Sequence, residues 1–186
     1  NSYLVDKVEE QCRREGLIYE RNDRKSVKET SLSAIQNWEK LRKGESLEAT
    51  AVNKCLKFLK RKITALPEEG MFSLQKLKDN WGVTRTDIWH DAFERMSLIE
   101  RSYLIAALRH GEKLTKTPRI RLSTIHSAKG GEADNVILFS DMANRTYKDM
   151  QKQPDNERRV FYVGVTRAKQ NLHIIMPRTK FMFAEL

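Results

Sequence analysis

The sequence is poor in the residues that build small extracellular scaffolds. Its 186 residues include 2 cysteines, 4 prolines and 8 glycines. Cys12 and Cys55 stand far apart, which excludes a disulfide framework and a cysteine-based metal motif. The same scarcity favours a reducing, intracellular compartment, read here as the cytoplasm. No low-complexity linker and no internal repeat interrupts the chain. No apolar run approaches the roughly 18–20 residues of a membrane span, and no secretory leader is visible. Apolar residues make up 39% and charged residues 32%, so a helix-rich fold with long solvated faces is expected. Acidic residues are the last shortage. Asp and Glu number 25 against 35 Lys and Arg, a net charge of +10. That excess points to a polyanionic partner, nucleic acid first and an anionic membrane surface second.

The length fits one full-sized domain, or one domain with a sizeable insertion. Tyr3 to Glu15 has helical spacing, with Leu4, Val5, Val8 and Cys12 on one stripe and Gly16 placed to cap it. Leu17 to Tyr19 reads as a short strand. From Asn22 to about Thr117 the chain is helical, polar and basic. Ser31 or Ser33 opens one helix, Glu45 to Lys62 forms a second, and Phe72 to Trp81 a third. Thr86 or Asp87 starts a fourth through Met96, and Ser97 a fifth. Trp38, Trp81 and Trp89 fall in apolar stripes and are expected in the core.

From Ile120 the pattern returns to α/β. Ile120 to Ile125 begins a strand. Val136 to Phe139 is a continuous apolar run, as in a buried parallel strand. Asn144 to Lys152 is a helix candidate. Asp155 is placed to cap a helix from Glu157 to Lys169, and Leu172 to Met176 is a third buried strand. Pro177 closes it, and Lys180 to Leu186 reads as a short tail.

Two segments carry chemistry. Ser123 to Glu132 collects hydroxyls, His126 and the pair Gly130-Gly131 where a strand ends. Small residues let backbone approach a phosphate, hydroxyls and N–H groups donate to it, and Glu132 suits a ribose hydroxyl. Glu157 to Lys169 places three arginines and a lysine on a helix that runs into a strand. Arg167 sits near that junction, where flanking structure holds its guanidinium still. Taken alone, the second segment is also what a solvated cationic helix looks like.

Together the two segments resemble motifs V and VI of superfamily 1A DNA helicases of the UvrD, Rep and PcrA type. Thr124-Ile125-His126-Ser127-Ala128-Lys129-Gly130-Gly131-Glu132 is similar to motif V. Glu157 through Lys169 is similar to motif VI, and the strand Val136 to Phe139 falls between them. Tyr3 to Tyr19 is similar to the weaker segment after motif IV. The strong likeness covers Arg119 to Pro177. The chain departs from the family pattern at Gly131, where a Leu is usual, and at Ala133, where an aromatic residue is usual.

The resemblance implies a fold, a set of partners and residue roles. The fold would be a partial RecA-like parallel sheet with flanking helices, spanning 1–21 and 118–186 (2A-like). An all-helical insertion, 22–117 (2B-like), would interrupt it. Arg167 would reach the γ-phosphate of ATP. Glu132 and Gly130 would complete the nucleotide contact, with Glu132 on the ribose. Thr124, His126 and Ser127 would contact single-stranded DNA. Lys129 would support either phosphate set, and Arg158 and Arg159 would serve as helix-face or interdomain pairs. ATP with Mg²⁺ is the implied nucleotide, and single-stranded and duplex-junction DNA the implied partners. No membrane contact is implied.

One absence sets the limit. A helicase motor needs a Gly-rich turn followed by Gly-Lys-Ser/Thr, and an acidic residue for Mg²⁺. No such P-loop occurs in the sequence. The chain is therefore expected to be the C-terminal part of a longer helicase, lacking its P-loop domain and inactive alone. Two other classes fit the residues: a non-catalytic helicase-like nucleic-acid-binding module, and the helicase part of a helicase–nuclease.

Overall fold

The structure is a computed structural model and describes residues 2–60, 63, 66, 67, 69–128, 130–176 and 180–185. Fifteen elements follow in chain order: α1 (Ser2–Glu15), β1 (Tyr19–Arg21), β2 (Arg24–Lys25), α2 (Glu29–Arg42), β3 (Leu47–Glu48), α3 (Ala49–Leu56), β4 (Met71–Phe72), α4 (Leu74–Trp81), α5 (Trp89–Ala92), α6 (Leu98–Arg109), β5 (Ile120–Leu122), β6 (Ala133–Phe139), α7 (Asn144–Lys152), α8 (Pro154–Val165) and β7 (Ala168–Ile175). Two compact units result. One comprises 1–10, 21–23 and 121–186, the other 11–20 and 24–120.

The second unit is mainly helical. Trp38, Leu41, Val52, Cys55, Phe93 and Leu104 are fully buried. The Trp38 ring lies 5.7 Å from Phe93, and its Nε1 donates to the Asp87 carbonyl at 2.9 Å. Trp38 and Trp89 are core residues, as expected. Trp81 is only half-buried and meets Phe72 edge-on. Burial pushes the Cys55 thiol up to about 12, which keeps it a protonated, inert packing group.

The unit is not all-helical. Leu47–Glu48 pairs antiparallel with Phe72 and Met71, so the helix expected over Glu45 to Lys62 starts only at Ala49, and it already ends at Leu56. The helix expected from Thr86 to Met96 is also short. Phe93 leaves helical backbone, with ψ 63°, and Arg101 Nη2 takes the Phe93 and Met96 carbonyls at 2.7 and 3.3 Å. Phe93 and Met96 still reach the core, but from a turn. Neither serine caps α2. Its N-cap is Lys28, without a side-chain cap bond, and Ser31 lies inside the helix. Ser97 caps α6 as expected, accepting from Glu100 N at 3.2 Å.

Ser31 has another use. Its hydroxyl donates to Glu100 Oε1 at 2.5 Å, and Lys28 Nζ donates to Glu100 Oε2 at 2.9 Å. Burial is the largest single influence and opposes the Glu100 charge, but these two bonds together with the charges of Lys28 and Arg13 outweigh it and hold the carboxyl below its ordinary value. A carboxyl lowered in the fold adds stability above its unfolded pKa of about 4.3, and loses it as pH falls through the folded value. Ser31→Ala should therefore cost about 1 kcal/mol at pH 6. The difference from wild type should shrink as pH falls below about 4. Urea midpoints measured from pH 6 down to 3 check this, and a pH-independent difference would refute it.

The first unit holds the α/β segment. β6 and β7 run parallel, in register from Asn135↔Asn171 to Phe139↔Ile175. Val136, Leu138 and Leu172 join Phe161, Met142 and Phe183 in one core, with Ile125, Tyr147, Met150 and Val165 packed against it. The sheet differs from the expectation of strands buried on both faces. Side chains alternate along a strand, and only one face meets α7 and α8. Ile137 and Ile175, on the other face, are 63% and 43% exposed. Among the described residues β5 is not a third strand of this sheet.

The C-terminal segment is not a tail. Met142 N and Phe183 N bond the Phe181 and Ser140 carbonyls at 2.9 Å, and Asp141 bridges Met182. Phe183 stacks on Phe161 with centroids 4.4 Å apart. The expected strand stop at Pro177 lies outside the described residues.

Candidate functional site

The site is built where β5 ends and where α8 gives way to β7. After Leu122 the chain coils into a tight loop. The Thr124 hydroxyl accepts from Ser127 N at 3.2 Å and shares a hydrogen bond with Ser127 Oγ at 2.9 Å. Ala128 N bonds the Thr124 carbonyl at 3.0 Å, and Gly131 N the Ala128 carbonyl at 3.0 Å. This is the local side-chain-to-backbone bonding by which Thr and Ser fold a loop without helix or sheet. Thr124 is consequently half-buried and occupied in holding the loop, while His126 and Ser127 are exposed. Gly130 has φ +84° and open space around its Cα, so it is required for backbone handedness rather than for clearance. Lys129 lies outside the described residues.

The departure at Gly131 has no steric cause. Its φ is not left-handed, and an added Cβ would make ordinary contacts at 3.5 Å with the Ala128 carbonyl oxygen and Arg121 Nη1. What the site takes from Gly131 is its carbonyl, which any residue supplies.

On the other side, α8 begins with Pro154 at its first turn and ends at Val165. Proline at that position loses no helix bond, and Asp155 falls inside the first turn instead of capping it. Thr166 and Arg167 then form the whole connection to β7. Arg167 is half-buried, and its guanidinium is tied three ways. Nε donates to the Val163 carbonyl at 2.9 Å, Nη1 to the Gly131 carbonyl at 3.2 Å, and Nη2 to Thr166 Oγ1 at 3.1 Å. Its own carbonyl accepts from Ala133 N at 3.0 Å. Arg167 thus stitches the Thr124–Glu132 loop to the end of α8. Three of its five N–H donors are used, which leaves two for an incoming anion.

Glu132 pairs with Lys169 at 3.4 Å, both about half exposed, so its carboxylate stands beside the Arg167 turn. Arg158 is a helix-face pair, held by Asp155 at 2.9 Å and by Glu185 at 2.7 and 3.0 Å. These carboxylates raise its already high pKa further. Arg159 is exposed on the same helix. No cluster of three or more His, Cys, Asp or Glu able to hold a metal occurs among the described residues.

Two contributors were missed in the sequence. Thr166 accepts from Arg167 and donates to the Val163 carbonyl at 3.1 Å. A hydroxyl just past a helix end is a recognisable signal for that back-bond. Gly164 lies against Leu138, where an added Cβ would meet Cδ1 at 3.1 Å, with Ile125 Cδ1 at 3.5 Å. Its lack of a side chain lets α8 settle against β6 and the loop, but a glycine inside a helical pattern carries no such message by itself.

The family model for the UvrD-like helicase C-terminal domain matches residues 73–179, more than half of the chain. The chain belongs to this family. The match reaches well upstream of Arg119, into the helical unit. Among curated proteins, DNA helicase II of Salmonella typhimurium is 29% identical over 124 residues, covering 63% of this chain and 17% of that protein. DNA helicase II of Rickettsia typhi is 32% identical over 104 residues, covering 52% and 15%. DNA helicase II of Escherichia coli is 28% identical over 124 residues, covering 63% and 17%. The chain therefore spans about a sixth of the length of these relatives. No solved structure matches it. No helix among the described residues is long and apolar enough to cross a membrane.

Proposed function

We propose that this chain is the RecA-like second motor domain, 1–21 and 118–186, with a 2B-like insertion, 22–117, of an ATP-dependent DNA helicase. The longer protein would translocate on single-stranded DNA and open duplex at a junction. A 3′ to 5′ direction rests on likeness to the helicase relatives alone. The observation that carries the reading is the Arg167 guanidinium, bonded to Gly131 of one motif-like segment and to Val163 and Thr166 of the other. A fixed, permanently charged fork between two conformationally coupled segments suits a transferring phosphoryl group.

In this scheme ATP is the substrate, bound chiefly by a P-loop domain that this chain does not contain. Arg167 would complete its phosphate side, with Gly130 letting the backbone come close and Glu132 facing the ribose. Lys169 would hold Glu132 oriented. His126 and Ser127 would meet the DNA strand from the exposed crest of the loop, while Thr124 sets the shape of that crest. Because Arg167 and the loop share bonds, a change at the phosphate would be felt at the strand. The residues present fit the phosphate and ribose edge of a nucleotide. They do not fit its Mg²⁺, which the P-loop domain would supply.

The chain by itself should show no ATP turnover above background, with or without single-stranded DNA. A phosphate-release assay on the purified chain measures this. Robust DNA-stimulated turnover would overturn the assignment of roles, because it would require a complete site within these residues.

A further inference from the structure

We propose that the outward face of α7 is a contact surface for the phosphodiester backbone of a nucleic acid, formed by Arg145, Lys148 and Lys152. At about 100° per residue the three fall within a sector of roughly 60°. The opposite side carries Tyr147 and Met150, which pack into the core of the unit. All three cations are exposed, and Arg145 is 95% so. Along the helix axis they span seven residues, roughly 10 Å.

One carboxylate shares this face. Asp149 lies 3.9 Å from Arg145, with both side chains mostly in solvent, a pairing too weak to neutralise the stripe. The neighbouring α8 clamps one of its two arginines, Arg158, between Asp155 and Glu185. The stripe therefore presents three positive charges to one negative on a rigid rod, which is the footprint of backbone binding without base readout.

A lipid surface fits less well. An amphipathic helix binds a membrane by burying its apolar face, and here that face is spent. Tyr147 meets Phe181 edge-on at 5.5 Å. An acidic protein surface also fits less well, since the stripe has no exposed aromatic or aliphatic anchor of the kind that dominates protein interfaces. The proposal takes the nature of the polyanion from the helicase reading but uses none of its site residues.

The test is fluorescence anisotropy with a labelled thymidine oligonucleotide and a labelled mixed-sequence duplex, over a range of salt. The whole chain is compared with the triple variant R145Q/K148Q/K152Q. The slope of log affinity against log salt should shrink by about 2 for the single strand and nearer 3 for the duplex. Between 50 and 200 mM salt the single-strand affinity should fall roughly 20-fold less than in wild type. K148R/K152R should keep the wild-type slope. An unchanged slope in the triple variant overturns the proposal, as does loss of binding to phosphatidylserine vesicles with DNA binding intact. If His126→Ala weakens DNA binding while the triple variant keeps its slope, the stripe fails and the helicase reading stands. If the slope falls in the triple variant while the loop variant binds normally, the stripe stands and the loop assignment fails.

Discussion

In the longer ATP-dependent helicase proposed above, Arg167→Ala should lower DNA-stimulated ATP turnover by about 1,000-fold or more. Affinity for single-stranded DNA should stay within about threefold, because Arg167 is assigned to the nucleotide and the strand contacts to other residues, so only a long-range share of the binding charge is lost. The size follows from what the side chain does. It brings a charge that cannot be lost by deprotonation, in a planar fork already aligned by the Val163, Gly131 and Thr166 oxygens. Arg167→Lys should be nearly as damaging. A lysine keeps the charge but cannot hold three diverging bonds and still offer a fork. A purely structural role for Arg167 predicts something different: a lowered melting temperature, with the Lys variant partly rescued in both stability and turnover. Turnover near wild type in either variant would remove Arg167 from the nucleotide site.

The parts of this site that were legible in the sequence are those written locally. The hydroxyl-rich loop, the glycine pair at 130 and 131 and the arginine at a helix–strand junction each follow from neighbours within a few positions. Helices α1 and α6 were legible for the same reason, having strong periodicity and, for α6, a serine cap, while α7 was no more than a candidate. The illegible parts depend on distant partners. Lys180 to Leu186 reads as a tail because nothing nearby says that Phe183 will stack on Phe161. Val136 to Phe139 reads as buried on both faces because apolarity reports preference for burial, not the number of layers that arrive to cover it. Phe72 reads as the start of a helix because a two-residue strand, Met71–Phe72, exists only through its partner, Leu47–Glu48. Thr124 shows the same limit in the site itself. Its residue type fits a phosphate contact, and only the structure shows its hydroxyl engaged with Ser127.

Gly16→Ala should be the most destabilising single-methyl change in the helical unit, at about 3 kcal/mol or more. Two independent costs meet there. Gly16 closes α1 in a left-handed conformation, φ +69°. The Leu17 N–H reaches back to the Cys12 carbonyl at 2.8 Å and the Gly16 N–H to the Arg13 carbonyl at 3.3 Å. That geometry alone costs a residue with a Cβ about 1 kcal/mol. The second cost is clearance. A Cβ at this position would lie within 2.6 Å of the Ala106 carbonyl carbon and oxygen and of Ala107 N, all backbone of α6. No rotamer change relieves a clash with backbone, so α6 must shift. It carries Tyr103, whose hydroxyl donates to the Leu17 carbonyl at 2.9 Å and shares a hydrogen bond with the Ser26 hydroxyl at 2.7 Å. Gly44 separates the two costs. It ends α2 with the same handedness, φ +91°, and an added Cβ there meets nothing within 4 Å. Gly44→Ala should therefore cost only the conformational part, about 1 kcal/mol. Gly16→Ala should lower the melting temperature of the unit by roughly 10–20 °C, several times the effect at Gly44. Equal losses at the two positions would mean that α6 does not press on Gly16, and that the close approach of the α1 end to α6 is wrong.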